Sequence, residues 1–205
     1  MNYLAHLHLG GSQPAQLLGS LYGDFVKGPL AGRWHADIEA AIRVHRHIDA
    51  FTDSHPLIHV AKTRFPSERR RLAGVLIDVF FDHCLARDWQ DYSPEPLDLF
   101  THRVYGVLIE TPGLPGRLAH IAPRMAAQDW LGSYLEFEVL QDVMAGMARR
   151  LSRPGLLDGA WDELVDLYEP LSADFRAFYP ELQRYVENLP EVREALDMHQ
   201  ASRRP

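Results

Sequence analysis

The chain carries one cysteine in 205 residues, Cys84. That excludes an intrachain disulfide framework and fits a reducing, cytoplasmic setting. The thiol follows His83 directly, yet a small apolar side chain in a core accounts for it without chemistry. Long apolar runs are also missing, so no segment reads as a membrane span. Positive charge is scarce: 21 Lys and Arg stand against 28 Asp and Glu, a formal net charge of -7. Sequence-independent nucleic-acid binding needs a basic surface, so that class is disfavoured. The first nine residues have no cationic leader and no full apolar stretch, so no signal peptide is read there. Strand-like alternation is rare as well, and no internal repeat or low-complexity linker occurs.

What the chain does have is apolar residues at spacings of three and four throughout, the period of helices. Its length suits one domain with a sizeable core. The expected fold is all-α, a single compact helical domain over 1–205, with a peripheral tail after about 189. Helices are expected near 14–27, 36–53, 67–90, 95–109, 115–130, 133–150, 156–178 and 180–198. Breakers divide them: Gly28-Pro29, His55-Pro56, Phe65-Pro66-Ser67 with Ser67 as an N-cap, Ser93-Pro94, Pro112-Gly113 and Pro154-Gly155.

The chain also has 11 histidines, many of them near acids. On the second expected helix Ile38, Ile42, His45, Asp49 and Thr52 share one stripe, so a histidine and an aspartate continue an apolar seam. On the third, Leu72, Val75, Val79 and Ala86 form an apolar arc. Asp82 lies within that arc, with Asp78 and His83 towards its edges. Buried charge is costly unless paired or bound to metal. Carboxylates and imidazoles are the donors that hard and borderline divalent cations take. A metal site between facing helices is therefore expected, with internal ion pairs as the plainer alternative. His6 and His8 alternate in Leu4-Ala5-His6-Leu7-His8-Leu9, as on one side of an extended segment. Asp24 closes a helix whose C-terminal dipole disfavours a carboxylate, so a cation, either metal or Lys27, should compensate. Lys62, Arg64, Arg69, Arg70 and Arg71 concentrate positive charge in an acidic protein. Such a run is either a solvated face or a docking patch for an acidic partner.

Several blocks together resemble the bacterial acyl carrier protein phosphodiesterases. They are Met1-Asn2-Tyr3-Leu4-Ala5-His6-Leu7, Gly23-Asp24-Phe25-Val26-Lys27-Gly28, His45-Arg46-His47-Ile48-Asp49 with Thr52-Asp53, and Asp78-Val79 with Asp82-His83. The likeness continues through Gly146-Met147-Ala148-Arg149-Arg150 and Phe178-Tyr179-Pro180. Ser20 departs from the family pattern, which commonly has Asn. The resemblance implies an all-helical, HD-phosphohydrolase-like enzyme that removes 4'-phosphopantetheine from holo-acyl carrier protein, with Mn²⁺ preferred and Mg²⁺ possible. It also implies a part in lipid metabolism. Carried onto this chain, Asp24, Asp78, Asp82 and His83 are the expected metal ligands. His45, Asp49 and His6 are the expected catalytic groups, to protonate a leaving oxygen or orient water. The basic residues of 62–71 are expected to meet the acidic carrier protein. Two other readings are an HD-type hydrolase of nucleotides or small phosphoesters, and a non-enzymatic helical interaction protein.

Overall fold

The computed structural model describes residues 1–149 and 154–202, and among these it has thirteen α-helices, one 3-10 turn and no strand. In chain order the helices are α1 (Tyr3–Leu9), α2 (Pro14–Phe25), α3 (Ala36–Ser54), α4 (Pro56–Thr63) and α5 (Arg70–Arg87). Then come α6 (Trp89–Tyr92), α7 (Leu97–Glu110), α8 (Gly116–Ala127), α9 (Trp130–Ser133) and α10 (Val139–Ala148). The 3-10 turn Pro154–Leu157 precedes α11 (Ala160–Asp166), α12 (Tyr168–Glu187) and α13 (Pro190–Ser202). The all-α expectation holds. No helix among the described residues is long and apolar enough to cross a membrane.

The molecule is organised around α5. From Leu76 to Ala86 all of its residues but Asp78 are buried, whichever way they face. A helix apolar on all sides belongs in the interior, and α1, α4, α6, α10 and α12 all pack on it. Its N-terminal turns are less enclosed: Val75, expected on the apolar arc, is 45% exposed. Opposite α5, α12 buries Leu171, Phe175, Phe178, Leu182 and Val186 at spacings of three and four. Phe81 meets Phe175 and Phe178 there, with ring centroids 5.3 and 6.0 Å apart. The α2–α3 pair is closely set because Gly19 lies against the α3 backbone, where a methyl group would overlap Ala41 and the Ile38 carbonyl.

Several boundaries differ from expectation for identifiable reasons. The alternation in 4–9 folds as helix α1, because the Leu4 and Ala5 amides find an acceptor on α5. Pro56 opens α4 where a break was expected: proline suits the first helical turn, and the His55 imidazole accepts from the Leu57 amide at 3.3 Å. The third expected helix starts at Arg70, since the Ser67 hydroxyl bonds Glu68 and caps nothing. It also ends earlier, at Arg87, and α6 follows separately. Pro180 lies inside α12, whose buried stripe continues past it; the division falls instead between α11 and α12, at Leu167. Arg150, the expected end of helix 133–150, lies outside the described residues. Near the C-terminus α13 rests on α3 through Arg43 and Glu191, 3.3 Å apart.

Candidate metal centre

Three helices converge on one group of polar atoms. α3 carries His45 and Asp49 one turn apart, and α1 brings His6 against them. α1 is held in place by Asp82 of α5, whose carboxylate accepts from the Leu4 and Ala5 amides at 2.8 and 3.1 Å. These are two of the amides a helix start leaves unpaired. Asn2, the residue at the N-cap position, makes no side-chain cap, so Asp82 supplies the cap from across the core. α2 contributes its backbone. The His45 Nδ1–H donates to the Ser20 carbonyl at 2.7 Å. The ring also lies on Gly23, where any side chain would overlap it.

The His6 and His45 rings stack, with centroids 3.7 Å apart and planes 14° from parallel. Both direct Nε2 at Asp49: His6 is 3.1 Å from one carboxylate oxygen and His45 is 3.3 Å from the other. Burial pushes the His6 imidazole down to about 3, against the pull of the Asp49 hydrogen bond. Burial also acts to raise the Asp49 carboxyl, but the bonds to His45 and His6 outweigh it and hold it below the usual carboxylate range. Asp78 lies alongside, 3.0 Å from the Met1 amino group, which is itself 3.9 Å from Asp49. Burial opposes the charge on that amine, yet Asp78 and Asp49 raise its pKa on balance. Asp24 lies at the edge, where partial desolvation of its carboxyl raises it and His45 pulls it the other way.

This donor set suits a divalent cation. A carbonyl can only accept, so His45 Nδ1 carries hydrogen, and in the neutral ring Nε2 is a bare lone pair facing an ionised carboxylate. Acceptor facing acceptor is repulsive unless a proton or a cation lies between them. His6 turns its other nitrogen to the same carboxylate, and its buried Nδ1 has no partner. One ligand atom from each of His6, His45 and Asp49 lies within 4.8 Å of the others. That spacing lets one ion reach all three.

A model of the acyl carrier protein phosphodiesterase family matches residues 1–182. The chain belongs to this family of hydrolases. It is 35% identical over 190 residues to the acyl carrier protein phosphodiesterase of Yersinia pestis, covering 92% of this chain and 98% of the relative. It is 36% identical to that of Serratia proteamaculans (strain 568), with the same coverage. It is also 36% identical over 184 residues to that of Escherichia coli O45:K1, covering 89% of this chain and 95% of the relative. No solved structure matches.

In this family member the expected site residues separate into groups. His6, His45 and Asp49 come together, with Asp24 and Asp78 beside them. Asp82 caps α1, and desolvation pushes its carboxyl up to about 7 against the pull of the two amides. His83 does not join the cluster. Its Nδ1 lies 2.8 Å from the Tyr134 carbonyl and its Nε2 2.9 Å from the Tyr168 hydroxyl, so both ring nitrogens are engaged. The basic run divides too. Arg69 is buried against Glu163 at 3.0 Å and the Leu156 and Asp158 carbonyls, so it offers no docking surface. Arg64 grips Asp174 with two bonds of 2.7 and 2.9 Å. Lys62 lies 3.6 Å from Asp53, while Arg70 and Arg71 face solvent. Sequence reasoning missed the Ser20 carbonyl and the Met1 amine, because backbone groups leave no residue-type signal. The Ser20 hydroxyl itself turns to the Gln16 carbonyl, so what this position gives the site is its backbone. Cys84 is buried and free, as expected of a core thiol.

Proposed function

We propose that the protein is a divalent-metal-dependent phosphodiesterase of the HD type that hydrolyses holo-acyl carrier protein to apo-protein and free 4'-phosphopantetheine. The observation that carries this reading is the convergence of two imidazole nitrogens and one ionised carboxylate on a single point. His6, His45 and Asp49 are assigned to hold the ion, Mn²⁺ with Mg²⁺ as the alternative, and Asp78 and Asp24 to border it. A bound divalent cation supplies charge neutralisation at the phosphoryl oxygens and a water acidic enough to act near neutral pH. The chain's own work is orientation. The Ser20 carbonyl fixes the His45 tautomer, the usual outer partner of a metal-bound histidine. Asp82 fixes the helix that carries His6. Asp24 is assigned to orient the attacking water. Relative to the expectation from sequence, the metal-holding role passes from Asp82 and His83 to His6, His45 and Asp49.

The acidic carrier protein is assigned to the exposed cations Arg70 and Arg71, with Lys62, through charge complementarity. This reading places the enzyme in the cytoplasm with its protein substrate. The test is intact mass spectrometry of holo-acyl carrier protein incubated with enzyme and Mn²⁺, beside an EDTA control and Asp49→Asn. Loss of the 4'-phosphopantetheine mass with metal-replete wild type alone is the expected result. An unchanged carrier mass with folded, metal-loaded wild type overturns it.

A further inference from the structure

The chain between α2 and α3 is tied down at both ends by α3. Arg46 donates to the Val26 and Gly28 carbonyls at 3.1 and 2.9 Å. The buried Glu39 carboxylate accepts from the Arg33 and Trp34 amides at 3.0 and 3.4 Å. The Trp34 ring meets Tyr22 edge-on, with centroids 6.1 Å apart, and the Arg33 guanidinium lies 4.9 Å over it. These contacts fix one wall of a cavity of about 210 Å³. Phe25, Val26, Trp34 and Pro115 give it apolar walls, and Lys27 and Arg33 make it cationic. Lys27 is within electrostatic reach of Asp24, and Asp24 is within reach of His45 and Asp49. Phe25, which lines the cavity, directly follows Asp24 in the chain, so the cavity opens one residue from the edge of the metal centre.

We propose that this cavity is the subsite for the pantetheine arm, with the phosphate turned to Lys27 and the neutral arm against Val26, Trp34 and Pro115. The proposal rests on the phosphodiesterase reading above. The arm that hydrolysis releases keeps its phosphate, and next to it carries a geminal dimethyl group followed by amides. A cation beside an apolar, aromatic wall matches that order of groups. Sites that enclose a drug-sized molecule start near ~300 Å³, so this cavity takes the section next to the phosphate and leaves the thiol end outside. The assignment also separates the two halves of the substrate: the arm lies towards the C-terminus of α2, and the carrier protein towards α4 and α5.

Calorimetric titration of the full chain with free 4'-phosphopantetheine, unphosphorylated pantetheine, inorganic phosphate and apo-carrier protein tests it. Trp34→Ala and Lys27→Gln should each weaken 4'-phosphopantetheine binding about tenfold. Lys27→Gln alone should also weaken inorganic phosphate, and neither should change affinity for apo-carrier protein. Arg33→Glu, at an exposed position, serves as a third variant in case loss of the Trp34–Tyr22 contact unfolds the chain; it too should weaken the phosphorylated arm. Undetectable binding by wild type, or equal binding by the variants, overturns the subsite. Loss of apo-carrier affinity in its place makes the cavity a protein-docking surface and likewise overturns it. Cleavage of holo-carrier protein, followed in parallel, separates the two failures. Wild-type cleavage with unaffected variants overturns the subsite alone; absent wild-type cleavage overturns both readings.

Discussion

His45 and Asp49 on α3 and Asp82 and His83 on α5 look alike in the amino-acid sequence: each is an imidazole and a carboxylate close together on an apolar stretch of helix. In the fold their hydrogen-bonding capacity is used very differently. Asp82 gives its oxygens to two amides, and His83 has a carbonyl and a tyrosine hydroxyl on its two nitrogens. His45 is tied to the backbone at one nitrogen only, and its other nitrogen, the Asp49 carboxylate and His6 converge on one another. A buried polar group whose partners are complete stabilises the fold; one left with capacity in a converging cluster is available to a ligand. The side-chain inventory is nearly the same in both regions, so the difference lies in which backbone groups each pair meets.

The comparison breaks if the two groups respond alike to substitution. The largest expected effect is on activity. Asp49→Asn or His45→Ala should lower turnover of holo-carrier protein by more than the roughly 10- to 100-fold that losing a metal ligand's hydrogen-bond partner costs, while circular dichroism shows the fold retained. His83→Gln should lower turnover much less. Equal losses in the two regions would undo the assignment of the metal centre. Next comes stability. Asp82→Ala strands two buried amides and should cost about 2–4 kcal/mol in urea unfolding. Mn²⁺ at 100 times its Kd should add about 2.7 kcal/mol to wild type. It should still stabilise Asp82→Ala and have no effect on His45→Ala.

The basic run allows a sharper contrast of the same kind. Arg69→Ala leaves Glu163 and two carbonyls without their partner and should cost about 3 kcal/mol, whereas Arg70→Ala should stay within about 0.5 kcal/mol. Reversing charge at Arg70 and Arg71 should raise KM more than it lowers kcat; the opposite split would remove them from the docking surface. An effect confined to high pH belongs to Cys84, whose thiol burial pushes up to about 12. Above about pH 9 the unfolded chain loses this proton while the folded chain keeps it. Stability should therefore fall with rising pH between those values, by about 1.4 kcal/mol per unit. Cys84→Ala should flatten that part of the curve by the same amount, as read from unfolding midpoints at pH 8, 9.5 and 10.5.

Much of the architecture is legible in the amino-acid sequence. The ends of α2 and α3 followed from Gly28-Pro29 and His55-Pro56, because those residues act locally on the chain. What was not legible depended on distant partners. α1 needs Asp82, 78 positions away from Leu4, to satisfy its first amides. Arg69 reads as a surface cation beside Arg70 and Arg71 until Glu163 is folded onto it, and Pro180 reads as a break until the core holds helix on both sides.

The amino-acid sequence by itself determined the class of the protein: helical through its three-and-four periodicity, without disulfides or a basic surface, and furnished with imidazoles and carboxylates on buried stripes. It also put His45 and Asp49 on one face of one helix, because helical geometry is a local property. Only the tertiary structure decided which polar residues share a centre. Pairing in a core is settled by the backbone donors and acceptors that distant segments bring. Asp82 met two free amides and became a cap, while Asp49 met two imidazoles and was left facing them.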